Sequence, residues 1–203
     1  MASDTRERIL VTTAEHFRRQ GYNGTGIKQI VEDAKAPFGS VYHHFPGGKE
    51  QLGAEVIRTA GAMYGELLPA VFGPAPDLLT GARDFYRLAA QHLEESGWED
   101  ACPIATVALE VASTNEELRK ATNEVFESWV AGATEMLEGE GLSPEAARRM
   151  AIAMVCALEG AFILARAGRT REPLHAAGDL IVAQLEAELA GAAPHRANGS
   201  DEE

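Results

Sequence analysis

The sequence predicts an all-α protein: an N-terminal three-helix helix-turn-helix unit followed by a larger helical domain. Three observations lead there. Aromatics make up 6% of the 203 residues, Ala and Leu are abundant, and no stretch alternates apolar and polar as a half-buried strand would. Apolar residues recur instead at three- and four-residue intervals. Gly- or Pro-containing breaks separate these periodic stretches. The length suits a small module plus a larger domain, placed at residues 1–52 and 53–191, with a polar tail over 192–203 that is expected to be disordered.

The first helix is expected from about Asp4 to Gln20. Asp4 and Glu7 are spaced as a capping pair, Gly21 is a C-terminal stop, and Ile9, Leu10, Thr13 and Phe17 form the inner face. Thr25 is an N-cap for a second, short helix whose apolar face is Ile27, Ile30, Val31 and Ala34. Pro37 ends that helix and can occupy the first turn of the next, in which Val41 and Phe45 point inward. A fourth helix follows Gly47-Gly48, carries Leu52, Val56 and Ile57, and ends by Pro69. Residues Phe72 to Pro76 read as a loop. Further helices fall near 77–96, 103–113, 115–138, 144–168 and 174–190, and Ser143-Pro144-Glu145 marks an N-terminus with Ser at the cap and Pro at N1.

The second and third helices, with a tight turn between them, form a helix-turn-helix. The third carries Ser40, Tyr42, His43 and His44 with no core to bury them. Such a helix is suited to an external surface, and the DNA major groove admits one α-helix and presents base edges to short side chains. His44 reads as a packing or helix-end group rather than a base contact.

The block Gly21-Tyr22, Gly24-Thr25, Ile30, Ala34, Gly39 to Pro46, Lys49 and Leu52 resembles the N-terminal domain of TetR-family transcriptional repressors. Cys102-Pro103-Ile104-Ala105 with Leu109-Glu110, and the Gly47-Gly48-Lys49 spelling, resemble one subgroup of that family, the LmrA/YxaF type, which includes repressors responding to drugs and flavonoids. The resemblance implies a homodimer that binds a double-stranded DNA operator and answers to a small-molecule effector. It also implies that Thr25, Tyr42 and Lys49 contact phosphates and that Ser40 and His43 approach base edges or phosphates. Lys28, Lys35, Pro37, Phe38 and Gly39 complete the candidate DNA-binding set. The chain departs from the family pattern in four places. Lys35 stands where Gly is usual, and is strained if the turn is left-handed there. Pro37 replaces a frequent Ser cap. Phe38 replaces a basic residue and can pack on a thymine methyl or cover the turn. The extra glycine moves Lys49 one residue along.

The net charge is −13, which is unusual for a DNA binder. Residues 1–52 carry seven Lys/Arg against six Asp/Glu, and the rest eleven against twenty-five, so the acid lies outside the N-terminal module. Phosphate contact then falls to Arg6, Arg18, Arg19, Lys28, Lys35 and Lys49, and modest non-specific affinity follows.

From Met150 to Ala165 the chain is apolar almost all round, so this helix needs cover on more than one side. A second subunit is an economical cover. The candidate dimer contacts are Met150, Met154 and Leu158, with Ala177, Leu180, Ile181 and Leu185 from the last helix. A simple monomer core is the other reading.

A ligand pocket in the larger domain has candidate lining residues Phe85, Leu88, His92, Trp98, Cys102, Thr106, Glu110, Trp129, Met136, Glu159, Phe162 and Arg166. Each also fits plain packing or solvent exposure. Glu110 and Glu159 interrupt apolar runs and therefore need a partner: a ligand donor, an internal Arg such as Arg166, or water.

The mechanism these readings suggest is allosteric repression, with the fourth helix as lever. Regulation by a protein partner or by abundance is the alternative. No nucleophile–base pair, phosphate loop or metal-ligand spacing suggests an enzyme or a cofactor. Cys102 and Cys156 sit in apolar stretches and read as inert thiols rather than a redox sensor. No apolar run is expected to span a bilayer and no signal-peptide core opens the chain, so a cytoplasmic protein is expected.

Overall fold

The helical periodicity is realised as ten α-helices, with no strand among the described residues, in a computed structural model that describes residues 5–100 and 102–197. They are α1 (Thr5–Gln20), α2 (Ile27–Asp33), α3 (Gly39–His44), α4 (Gly48–Gly65), α5 (Leu67–Phe72), α6 (Leu78–Glu95), α7 (Pro103–Val111), α8 (Glu116–Gly139), α9 (Pro144–Gly168) and α10 (Glu172–Ala197).

The local signals mostly act as the sequence suggests. Gly21 ends α1 in the left-handed region at φ 74°, and its N–H reaches the Phe17 carbonyl at 3.0 Å. Ser143 caps α9 by accepting from the Ala146 N–H, with Pro144 at N1. Asp77 caps α6 and accepts from the Thr80 N–H at 2.7 Å. That bond holds its carboxylate below the ordinary Asp range.

Four local expectations are corrected. Thr25 is not the α2 cap; Gly26 occupies that place without a side-chain bond. Thr25 is buried, and its hydroxyl donates to the Gly21 carbonyl at 2.6 Å. Pro37 precedes α3, whose cap is Phe38, although the Pro37 carbonyl accepts the first-turn bond from the Ser40 N–H. The apolar stretch before Phe72 is two helices, because the chain breaks at Glu66 and Pro69 fits the first turn of α5, where no intrahelical N–H bond is required. The last helix continues through Ala197, since Ala187–Ala193 is rich in the strongest helix former. Asp4 and the end of the expected tail, 198–203, lie outside the described residues.

Packing groups the chain into two compact units. One joins residues up to Tyr64 with Glu99–Glu127; the other joins Gly65–Trp98 with the chain from Ser128 onward. A single cut at residue 52 would assign 53–64 and 99–127 elsewhere. In the first unit Ile9, Phe17, Ile30, Val41, Phe45, Leu52, Ile104 and Leu118 are completely buried. α4 and α8 approach closely there, because Gly61 has no Cβ: one would lie 2.4 Å from both Val125 methyls.

In the second unit α6, α9 and α10 surround a core that includes Tyr86, Leu93, Leu137, Met150, Met154, Leu174 and Leu185. Tyr86 is 1% exposed; its ring packs where Gly178 leaves space, and its hydroxyl donates to the Met154 carbonyl at 2.8 Å. α9 is long and apolar enough, by length and composition, to cross a bilayer, contrary to the sequence expectation. In this fold it packs on α10, and its buried stripe runs Ala147, Met150, Ala151, Met154, Ala161 and Ala165.

Candidate nucleic-acid interface

α1, α2 and α3 pack on one another in the first unit. Ile30 and Val31 from α2, Val41 from α3 and the following Phe45 are buried, which fixes the two short helices by their apolar sides. The opposite side of α3 faces solvent. Phe38 is 57% exposed and Tyr42 51%, and their rings lie 6.3 Å apart, one helical turn from each other. Gly39 and His43 are exposed beside them and Ser40 is half-buried. His44 is half-buried against His43 and Phe45, consistent with a packing group. An aromatic pair in solvent has no folding benefit to explain it, and an exposed aromatic surface of this kind suits a partner.

The turn before α3 is left-handed at Lys35, with φ 50°. A β-carbon is strained in that conformation, so the strain follows from having Lys where Gly would be free. Lys35 and Pro37 are exposed, and Lys28 is exposed with Glu32 at 3.8 Å.

The cation set is thinner than sequence suggested. Arg6 pairs with Glu55, and Arg18 and Arg19 reach Asp100 at 3.0 and 3.7 Å. Lys49 is drawn inward: its Nζ donates to the Tyr22 carbonyl at 2.7 Å and lies 4.2 Å from the Tyr22 ring centre. Burial pushes the Lys49 ammonium below its ordinary range, and the Glu110 charge opposes that shift. Thr25 and Lys49 therefore brace the turn after α1.

The expected pocket residues divide between the units. Cys102, Thr106 and Glu110 belong to the first, while Phe85, Leu88, His92, Trp98, Trp129, Met136, Glu159, Phe162 and Arg166 belong to the second. Glu110 has its partner within the first unit, for its carboxylate accepts the Asn23 backbone N–H at 2.8 Å. Cys102 is the cap of α7, with its sulfur 3.4 Å from the Ala105 nitrogen, and its carbonyl accepts from the Thr106 hydroxyl. In the second unit Phe85, Met136, Phe162 and Trp98 are half-buried against the core. Arg166 donates to the Trp98 carbonyl at 3.3 Å, Trp129 and Glu159 are half-buried, and Leu88 and His92 are exposed. Two open clefts of about 330 and 350 Å³ lie in the first unit, one beside Arg8 and Lys35 and one beside Gln51 and Arg58; neither includes an expected pocket residue.

The residues expected at a dimer face do not all lie outside. Met150, Met154, Ile181 and Leu185 are buried inside the second unit and cannot meet another chain. Leu158 and Ala177 are half-buried. The uncovered stripe of α9 is Ile152, Cys156, Gly160, Ile163, Leu164 and Ala167, and that of α10 is Ala176, Leu180, Ala183 and Ala187. Ile163, Leu164 and Leu180 are 55, 62 and 65% exposed. Cys156 is exposed as well. Sequence missed the phase because α9 lacks a continuous polar face to mark the outside.

A buried three-helix scaffold that presents one short helix to solvent defines a helix-turn-helix DNA-binding protein. Residues 9–56 match the model of bacterial regulatory proteins of the tetR family, and residues 79–180 match the C-terminal domain of LmrA/YxaF-like transcriptional regulators. The uncharacterized HTH-type transcriptional regulator YxaF of Bacillus subtilis is 32% identical over 171 residues, covering 84% of this chain and 90% of its own. The HTH-type transcriptional regulator LmrA of the same organism is 30% identical over 171 residues, with 84% and 91% covered. A TetR regulatory protein from Rhodobacter sphaeroides has the same fold, with a TM-score of 0.79 at 24% identity over 90% of this chain and 99% of that one. The chain belongs to the TetR family of transcriptional regulators and binds DNA.

Proposed function

We propose that the protein is a cytoplasmic repressor that binds a palindromic operator as a homodimer and is released by a small, largely apolar molecule. The observation that carries the DNA half of this reading is the exposed α3 face, where Phe38, Tyr42 and His43 lie together in solvent. Phe38 and His43 meet base edges, with Phe38 suited to a thymine methyl, and Tyr42 and Lys28 meet phosphates. Lys35 adds charge at the turn. With most other cations paired inside the unit, sequence-independent affinity is modest.

Dimerisation rests on the apolar stripes of α9 and α10. Leu164 and Leu180 are large, exposed and set among small residues that permit close approach. Two copies related by a two-fold axis read two half-sites, and operator symmetry mirrors protein symmetry. α4 ends where the first unit gives way to the second in sequence, which suits it as a lever.

The effector reading is supported by the half-buried aromatic residues Phe85, Phe162 and Trp98 at the edge of the second core. An effector must bind the released form better than the DNA-bound form, and DNA must weaken effector binding by the same factor. The other reading is control by a protein partner or by abundance, in which Phe85, Phe162 and Trp98 only pack on the core. A thermal-shift screen of apolar molecules separates the two, since a ligand at a hundred times its Kd stabilises the fold by about 2.7 kcal/mol.

A footprint of the purified protein across the DNA upstream of its own gene tests the main proposal. Two inverted protected half-sites, with centres about one helical turn or a multiple of it apart, are expected. Protection of a single unrepeated patch refutes the dimeric reading.

A further inference from the structure

The turn that joins α1 to the helix-turn-helix is held by a residue far outside it. We infer that Glu110, on α7, is a positioning residue for DNA recognition: its carboxylate sets the Gly21–Thr25 turn and thereby the angle at which α2 and α3 leave α1. The inference rests on the DNA-binding function of the family and not on the effector.

Three side chains hold this turn. Thr25 donates to the Gly21 carbonyl at 2.6 Å. Lys49 donates to the Tyr22 carbonyl at 2.7 Å. Glu110 Oε2 accepts the Asn23 N–H at 2.8 Å across 87 residues of sequence. The other carboxylate oxygen fills the space a side chain at Gly21 would need: a Cβ there would lie 1.6 Å from Oε1. Gly21 thus serves twice, taking φ 74° and admitting the carboxylate. The Glu110 charge also supports the partly buried Lys49 ammonium, so two of the three braces act on each other.

α7 is in turn fixed to α1 at its other end, where Asp100 meets Arg18 at 3.0 Å and Arg19 at 3.7 Å. Cys102 and Pro103 start the helix, Ile104 and Val107 bury its inner side, and Glu110 arrives one turn later. This gives a physical role to the Cys102–Glu110 stretch that marks the subgroup. A displacement of α7 along α1 would be felt at the turn, and through it at α3.

The test uses the full chain and two variants, Glu110→Ala and Glu110→Leu, the second keeping side-chain bulk. Each is measured against a duplex that the wild-type protein enriches from a random-sequence library, and against a scrambled duplex of equal length. Loss of a hydrogen bond to a charged acceptor corresponds to about tenfold or more in specific affinity. The enriched duplex should lose that much while the scrambled duplex changes less than about threefold, because sequence-independent binding needs no fixed register of α3 against the base edges. Glu110→Gln keeps an acceptor and should recover most of the specific affinity. Equal losses on both duplexes, or none in a folded variant, overturn the inference. Amide exchange adds a readout independent of the variants' folding. The wild-type Asn23 N–H should exchange at least about tenfold slower than an unprotected amide, and an unprotected Asn23 overturns the inference too. Failure of the wild type to enrich any sequence would count against the operator reading instead, and the exchange measurement would still decide the role of Glu110.

Discussion

Leu164→Gln should separate the dimer without unfolding the chain. Leu164 is 62% exposed on α9, and Gln has nearly the same helix propensity, so the second unit loses little on its own. Complete burial of a Leu side chain is worth about 1.5–3 kcal/mol. The 62% still available makes this about 1–2 kcal/mol per copy. A two-fold interface presents the residue twice, which gives about 2–4 kcal/mol in all, or about 30- to 1,000-fold in the dimer dissociation constant. Sedimentation equilibrium over a dilution series reads this directly, and a denaturation curve on the same sample checks that the fold survives. Leu185→Gln is the contrasting case. Leu185 is completely buried, so that variant should lose stability before it loses association. A dissociation constant unchanged by Leu164→Gln, or a wild-type chain that stays monomeric at high concentration, would refute this assignment of the α9 stripe.

Three further outcomes follow from local geometry. Lys35→Gly should stabilise the first unit by about 1 kcal/mol in urea denaturation, because a β-carbon costs about 1–2 kcal/mol in the left-handed region and glycine's greater freedom in the unfolded chain returns part of that. Tyr86→Phe should cost about 1 kcal/mol in the same assay by deleting the hydroxyl that meets the Met154 carbonyl in the core. Asp77→Asn should narrow its stability difference from wild type as the medium is acidified. The folded-state pKa of Asp77 is depressed, so its contribution is present above the ordinary Asp range and is lost as pH falls through the lowered value. A difference that stays constant from neutral pH down to strong acid would contradict that account.

The helices were legible in sequence because their signals are local. Gly21, Pro103, Ser143-Pro144 and the Gly47-Gly48 pair act through backbone conformation within a few residues, and the structure places helix ends beside each of them. The α3 face was legible for a similar reason: Val41 and Phe45 set the buried side, which leaves Phe38, Tyr42 and His43 outside. Strain at Lys35 was legible only as a condition, from Lys standing where the family usually has Gly, and the structure supplies the left-handed φ of 50°.

What sequence could not decide was which of two chemically equivalent choices packing would make. Met154 and Leu164 are both large apolar residues on α9, and only the placement of α6 and α10 buries the first and leaves the second to solvent. Glu110 announced a need for a partner but not its direction, and the fold supplied a backbone amide 87 residues away. Nor did sequence show that the Lys49 ammonium meets the Tyr22 carbonyl and ring. Sequence by itself determined the all-α class, the helix-turn-helix and the family. The tertiary structure decided which faces are open and which charges are already paired, because burial and pairing depend on the arrangement of segments distant in the chain.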